Sequence, residues 1–298
     1  MKNAPIILFA FNRLDAIKRT IESLLMNSEA AESELFVFVD GAREHVAADK
    51  KKVAAVQEYV KTIQGFKQLT YTFSEKNKGL GASVIAGVSQ IVKDYGKCIV
   101  VEDDLYCGKN FLSYMNQGLD IYAAQKEVFS VCGYTNKVKC PKVYNYDAYA
   151  CVRSSSWGWA TWADRWESVD WSLDNWSECE KRAKEFNRWG GSDCYGMLRD
   201  WHTGKNQSWA IRFCYNQFVQ NKVSIFPTVS KVANEGFDGQ GTNCKGWSRF
   251  KYDFDSSENK DFKWPKDVAI NKSLLRKALS YHSIFSRIYS HIMNIVFK

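Results

Sequence analysis

The chain has 298 residues, 45% hydrophobic and 25% charged, with a formal net charge of +8. This balance excludes disordered, collagen-like and low-complexity classes and allows one large α/β domain or two unequal lobes. The positive charge suits an anionic partner, whether nucleotide, nucleic acid or lipid surface, and chooses none of them.

Ile6–Phe11 is an unbroken run of six apolar residues, expected as a buried strand. It is too short for the apolar region of a signal peptide, and no run approaches 18 apolar residues, so no membrane span is expected. Leu14, Ile17, Ile21, Leu24 and Leu25 follow at the spacing of one buried helix face. Leu35–Val39 reads as a second strand ending at Asp40-Gly41. Val53, Val56, Val60 and Ile63 mark a helix over 47–63, and Leu69–Phe73 reads as a third strand. Gly79 and Gly81 precede a helix carrying Val84, Ile85, Val88, Ile91 and Val92. Cys98–Val101 is then a fourth strand that runs into Glu102-Asp103-Asp104. The succession predicts an α/β fold, a mostly parallel sheet with helices on both faces, whose ligands gather at the carboxyl ends of the strands.

Beyond residue 150 the composition changes, because all eleven tryptophans fall between Trp157 and Trp264. The expected organisation is a first half over 1–150, a second half over 151–266 continuous with the sheet, and a tail over 267–298. From Val268 to Lys298 there are five Lys/Arg and no Asp or Glu, and the apolar residues recur at near-helical spacing from Leu274 to Ile295. Two readings of this basic amphipathic tail stand side by side: a helix packed on the rest of the chain, or one lying in a membrane interface. The nine cysteines form no Cys-x-x-Cys pair and no zinc-type cluster, which suits a reduced, cytoplasmic chain.

Apolar burial that leads straight into three carboxylates is costly unless the charges are solvated or bind a cation. Mg²⁺ or Mn²⁺ would meet that cost, taking one or two carboxylates with phosphate oxygens and water; a solvated acidic loop is the alternative. Asp40 is either a turn residue or a nucleotide contact. Asn12 is a helix cap or a ligand contact, and Arg13 a surface charge or a fork for phosphate. In EKNKGLGAS, residues 75–83, Asn77 and Lys78 stand before a helix start where phosphate is attracted, although the glycines also read as a plain turn. In SSSWGWATW, residues 154–162, Trp157 and Trp159 offer flat faces beside hydroxyls, as a sugar site would, or simply fill a core.

In this order, FAFNRLD, FVDGAR, EKNKGLGAS, VVEDDL, SSSWGWATW with DRW, and SWAIRF leading to IFPTVSKVANEGFDGQGTN resemble the GT-A glycosyltransferases. They are most similar to the bacterial members near the N-acetylglucosaminyltransferase-I group, over residues 5–245. The resemblance implies a glycosyltransferase acting on a nucleotide-diphosphate sugar, with uridine diphosphate the commonest carrier. It implies a nucleotide pocket using Asn12, Arg13 and Asp40, a divalent Mn²⁺ or Mg²⁺ held by Asp104 with Asp103 beside it, and an acceptor bordered by the Trp-rich segment and the 207–213 region, which contain Trp157, Trp159, Trp209 and Arg212; Asn77 and Lys78 join the donor candidates from the helix start. Transfer with inversion would need a base to take the acceptor proton. The family often places an aspartate where this chain reads Gln207, so Asp200 and Asp238 are the remaining candidates. Asn243 stands where relatives often carry a histidine.

A sugar nucleotidyltransferase would carry a glycine-rich triphosphate loop after the first strand, and FAFNRLD has none. A non-catalytic sugar-binding or membrane-associated protein of the same fold is the rival from another class. No nucleic-acid motif is present. If the tail touches a membrane, a lipid-linked oligosaccharide of bacterial surface polysaccharide synthesis becomes the natural acceptor.

Overall fold

The structure is a computed structural model that describes residues 2–236 and 248–296. Four strands and three helices alternate at the start: β1 (Ile6–Ala10), α1 (Leu14–Leu25), β2 (Glu34–Val39), α2 (Ala47–Lys61), β3 (Gln68–Phe73), α3 (Leu80–Tyr95) and β4 (Lys97–Glu102). They match the elements expected from periodicity almost residue for residue. All four strands run parallel, in the order β3-β2-β1-β4.

Strand alternation divides the core into two layers. Ile6, Leu8, Ile99 and Val101 face Ile17 and Ile21 of α1, Val56 of α2 and Met115 of α4 (Phe111–Ile121). Ile7, Phe9, Cys98 and Val100 face Val84, Val88 and Ile91 of α3. Both faces of β1 and the interior of β4 are therefore buried, which is why they read as unbroken apolar runs. β3 is the sheet edge and is largely exposed.

Beyond β4 a short strand β5 (Leu105–Cys107) precedes α4, and β6 (Val128–Cys132), β7 (Ala148–Cys151) and β8 (Trp159–Trp162) follow it. Five helices come next: α5 (Ala163–Glu167), α6 (Trp176–Lys181), α7 (Ala183–Gly190), α8 (Cys194–His202) and α9 (Trp209–Val219). β9 (Val223–Pro227) and β10 (Val232–Asn234) lead toward the tail helices α10 (Lys272–Ser280) and α11 (Ile284–Val296).

The change of composition near residue 150 is not a break in the sheet. β8 inserts antiparallel between β4 and β6, and β9 and β7 complete one eight-stranded sheet. Because β8 is antiparallel to β4, with Val100 opposite Trp159, the residues just before β8 stand at the carboxyl end of β4. β10 pairs with β5 and folds over the same edge. This topology, rather than sequence proximity, brings the segment before β8 toward the carboxyl end of β4.

The two tail helices differ in burial. On α10, Leu274 and Ala278 are buried against Tyr149, Cys151 and Phe226 of the sheet, so this helix is packed on the chain. α11 instead leaves its large apolar side chains exposed. Among the described residues no helix is long and apolar enough to cross a membrane.

Candidate active site

The site forms where β1, β2 and β4 end. The backbone knits these ends together: Asp40 N donates to Ala10 O, and Asp103 N to Phe9 O. Arg13, at the N-cap position of α1, lies across the triplet. Its Nη2 donates to Asp103 Oδ1 and stands 3.1 Å from Asp104 Oδ2. The other Asp103 oxygen accepts from Phe11 N at 3.2 Å. Burial pushes Asp103 up, Arg13 opposes it and Asp104 adds to it, leaving Asp103 near pKa 6. The Glu102 carboxyl is pushed well above its usual range by burial and by Asp104 and Asp103, with Arg13 opposing. Among the described residues these three acids share one cation, Arg13, and a second cation would favour their charged forms.

Asp104 Oδ1 is buried without a hydrogen-bond partner among the described residues. An unpaired buried carboxylate oxygen is among the costlier groups a fold can carry, and it fits a hard divalent ion. Among the described residues no group of three or more His, Cys, Asp or Glu is disposed to hold a metal. The chain's share of a coordination sphere would then centre on Asp104, with diphosphate oxygens and water as the other donors. The turn after β10 closes over this carboxylate: Glu235 N donates to Asp104 O at 2.9 Å. A Cβ on Gly236 would stand 2.4 Å from Asp104 Oδ2, so only glycine allows that approach.

The other donor-side residues have partners of their own. Asp40 accepts four donors, from Gly41 N, Lys78 N, Asn77 Nδ2 and Gly79 N, all between 2.8 and 3.0 Å. Its carboxylate clips the 77–79 loop beside the crevice, leaving the Lys78 side chain exposed. Asn12 does not cap α1, because Arg13 takes that position; the Asn12 amide donates to the buried Asp49 at 2.8 Å.

The glycines of the EKNKGLGAS stretch serve close approach. A Cβ on Gly81 would lie 2.0 Å from the backbone oxygen of Gln207, and one on Gly79 equally near its side-chain oxygen. The segment before α9 is thereby seated on the start of α3. Gly81→Ala is expected to destabilise by about 1–3 kcal/mol, because a backbone atom must move. Urea denaturation of the variant measures this, and an unchanged midpoint would refute the close packing.

On the acceptor side the residues separate. Trp157 forms a wall of a cavity of about 180 Å³ that also involves Tyr134, Ser155, Phe250, Leu279 and His282. Trp159 and Trp209 are 1% and 4% exposed, stacked on each other at 4.8 Å, and they pack the α3-side core. In this arrangement they support the site from beneath and offer no free face to a sugar. Arg212 is tied to Trp171 O at 2.7 Å and stacks over Trp201. The Asp200 side chain, 39% exposed, pairs with its neighbour Arg199. Asp238 and Asn243 lie outside the described residues.

One cluster beside the cavity had no sequence signal. Arg153 binds both oxygens of Asp193, at 2.8 and 3.4 Å, and Arg249 and His282 approach the same carboxylate at 3.6 and 3.3 Å. Burial would raise Asp193, but Arg153 and His282 hold it far below the usual carboxylate range. The cluster fastens the turn between α10 and α11 to the start of α8.

The GNT-I family model matches residues 1–188 of the chain. The chain belongs to the GNT-I family. The match takes in the acidic triplet, Arg13 and the SSSWGWATW segment, and stops short of α8. No curated protein matches the chain. Among solved structures, S. aureus TarS is similar over 48% of this chain at 16% identity, with a TM-score of 0.33. The GNT-I family chain covers 23% of the length of that protein. A Desulfovibrio desulfuricans G20 protein assigned as a nucleotide-diphospho-sugar transferase is similar over 58% of this chain and 71% of its own, at 10% identity and a TM-score of 0.32.

Proposed function

We propose that this GNT-I family chain is a glycosyltransferase that moves a sugar from a nucleotide diphosphate, with uridine diphosphate as the favoured carrier, onto a carbohydrate acceptor. Family membership supports the class, and the unpaired buried oxygen of Asp104 at the end of β4 is the observation that carries the chemistry. Asp104 would hold Mn²⁺ or Mg²⁺. The ion would supply charge neutralisation for the departing diphosphate. Arg13, already against Asp103 and Asp104, offsets the repulsion between the two acids and offers a guanidinium to phosphate. Asp40 positions the loop bearing Asn77 and Lys78 at the rim.

Trp157 and the cavity beside it are the proposed acceptor side, since an aromatic face next to serine hydroxyls suits a sugar ring. Inversion is the favoured outcome, with Asp200 or Asp238 as the base that takes the acceptor proton. A lipid-linked oligosaccharide of bacterial surface polysaccharide synthesis is the acceptor we favour. Because Gln207 replaces the aspartate common in the family, a non-catalytic sugar-binding role is the reading to be tested against this one.

Thermal unfolding with a panel of nucleotide sugars, each with and without Mn²⁺, is the first experiment. A ligand that binds the native state raises its midpoint. Stabilisation by at least one nucleotide sugar, dependent on Mn²⁺ and followed by its slow hydrolysis, is expected. Stabilisation without any turnover would favour the non-catalytic role, and no stabilisation by any donor would overturn the donor site.

A further inference from the structure

α11 is amphipathic in an inverted sense. The side chains turned inward include Ser286 and Ser290, the latter 8% exposed, whereas Ile284, Phe285, Ile288, Ile292 and Ile295 are 50 to 81% exposed. These positions recur every three or four residues and make one continuous apolar stripe along the helix. A helix that merely completed the fold would turn that stripe inward, as α10 does with Leu274 and Ala278. With 13 residues it is about 20 Å long, too short to cross a bilayer but long enough to lie along one.

The surroundings of the stripe are cationic. Lys272, Arg276 and Lys277 on α10 are exposed and form no ion pair with any described residue, and the tail from Val268 onward contains no acid. The loop of residues 138–144, packed through Val138, Cys140 and Tyr144 against the cluster that includes Leu274 and Ala278 of α10, adds exposed Lys139 and Lys142 and, between Lys142 and Tyr144, Val143 at 87% exposure. A second copy of the same chain would bring like charges together at this surface. An anionic lipid surface instead satisfies the stripe and the cations at once.

We propose that α11 lies in the interface of an anionic membrane, with its apolar stripe in the acyl boundary and the basic residues of α10 and the 138–144 loop over the headgroups. The end of α10 contributes Leu279, and the turn joining it to α11 contributes His282, to the cavity beside Trp157, so the docked helix sets that cavity next to the lipid surface. The docking surface uses none of the donor-site residues at the ends of β1, β2 and β4.

Co-flotation of the whole chain with vesicles tests this, comparing phosphatidylglycerol-rich with pure phosphatidylcholine membranes. Binding is expected to the anionic vesicles, at least 10-fold weaker to neutral ones, and to weaken with added salt. Ile288→Glu with Ile292→Glu should abolish it while the thermal midpoint and the Mn²⁺-dependent stabilisation by nucleotide sugars stay as in the parent chain, because both positions are exposed. Equal flotation of the parent and the double variant, no flotation of the parent, or a dimer in sedimentation that the two substitutions dissolve would each overturn the proposal. Loss of donor binding with flotation intact would count against the glycosyltransferase reading alone.

Discussion

Asp104→Ala is expected to reduce Mn²⁺-dependent binding of the nucleotide-sugar donor by roughly 100-fold or more, the upper end of what losing even an outer-shell partner costs a metal site. The fold should survive. Asp104 Oδ1 has no hydrogen-bond partner among the described residues, and Arg13 keeps Asp103 as its counter-ion when Asp104 is gone. The substitution removes the 3.1 Å contact of Arg13 with Asp104 Oδ2, but it also relieves the desolvation cost of the buried Oδ1. Calorimetric titration of donor with and without Mn²⁺ measures the effect, alongside the thermal midpoint of the unliganded variant. Donor affinity equal to that of the parent chain would refute the assigned ligand. Loss of both binding and midpoint would show that Asp104 supports the fold and would leave the metal role without its support.

The second large effect concerns stability. Asp193→Ala is expected to cost about 3–5 kcal/mol, because it leaves the guanidiniums of Arg153 and Arg249 in a largely buried site without their carboxylate. Such a loss lowers the thermal midpoint by roughly 6 °C or more. A midpoint within a degree of the parent would refute the importance of the cluster. The same cluster predicts an acid limb. Burial, then Arg153, lowers the His282 pKa to about 4, with Asp193 opposing. Its unfolded value is about 6.5, so between about pH 6.5 and 4 the unfolded chain binds the extra proton. Stability therefore falls as the pH drops through that window, by about 1.4 kcal/mol per unit. The Asp193 shift has the same downward sign but acts at lower pH: with its folded pKa depressed, its contribution is present above its unfolded value and is lost only in stronger acid. His282→Gln should flatten the decline between pH 6.5 and 4 in urea titrations, and an unaltered slope would sink this account.

Much of the first half was legible from spacing. The runs at Ile6–Phe11 and Cys98–Val101 are unbroken because both faces of β1 and β4 are covered by helices, and the period of α1, α2 and α3 follows from the single face each presents to the sheet. The acidic triplet stood out because carboxylates rarely follow such burial directly. Less could be read beyond residue 150. Trp157 and Trp159 are two residues apart and chemically alike, yet one walls the cavity and the other is stacked under it. Only the pairing of β8 with β4 decides which of them faces out.

The order of apolar and polar residues along the chain was enough to determine the parallel half of the sheet, the crevice at its carboxyl edge and the carboxylates that line it, because each strand or helix carries its own period. Pairing across long separations lay beyond that reach. The insertion of β8, the closure of Gly236 on Asp104, the seating of Gln207 on Gly79 and Gly81, and the meeting of Arg153, Asp193, Arg249 and His282 join residues far apart in sequence. Such contacts leave no periodic trace, since their energy comes from partners that only the folded chain brings within reach.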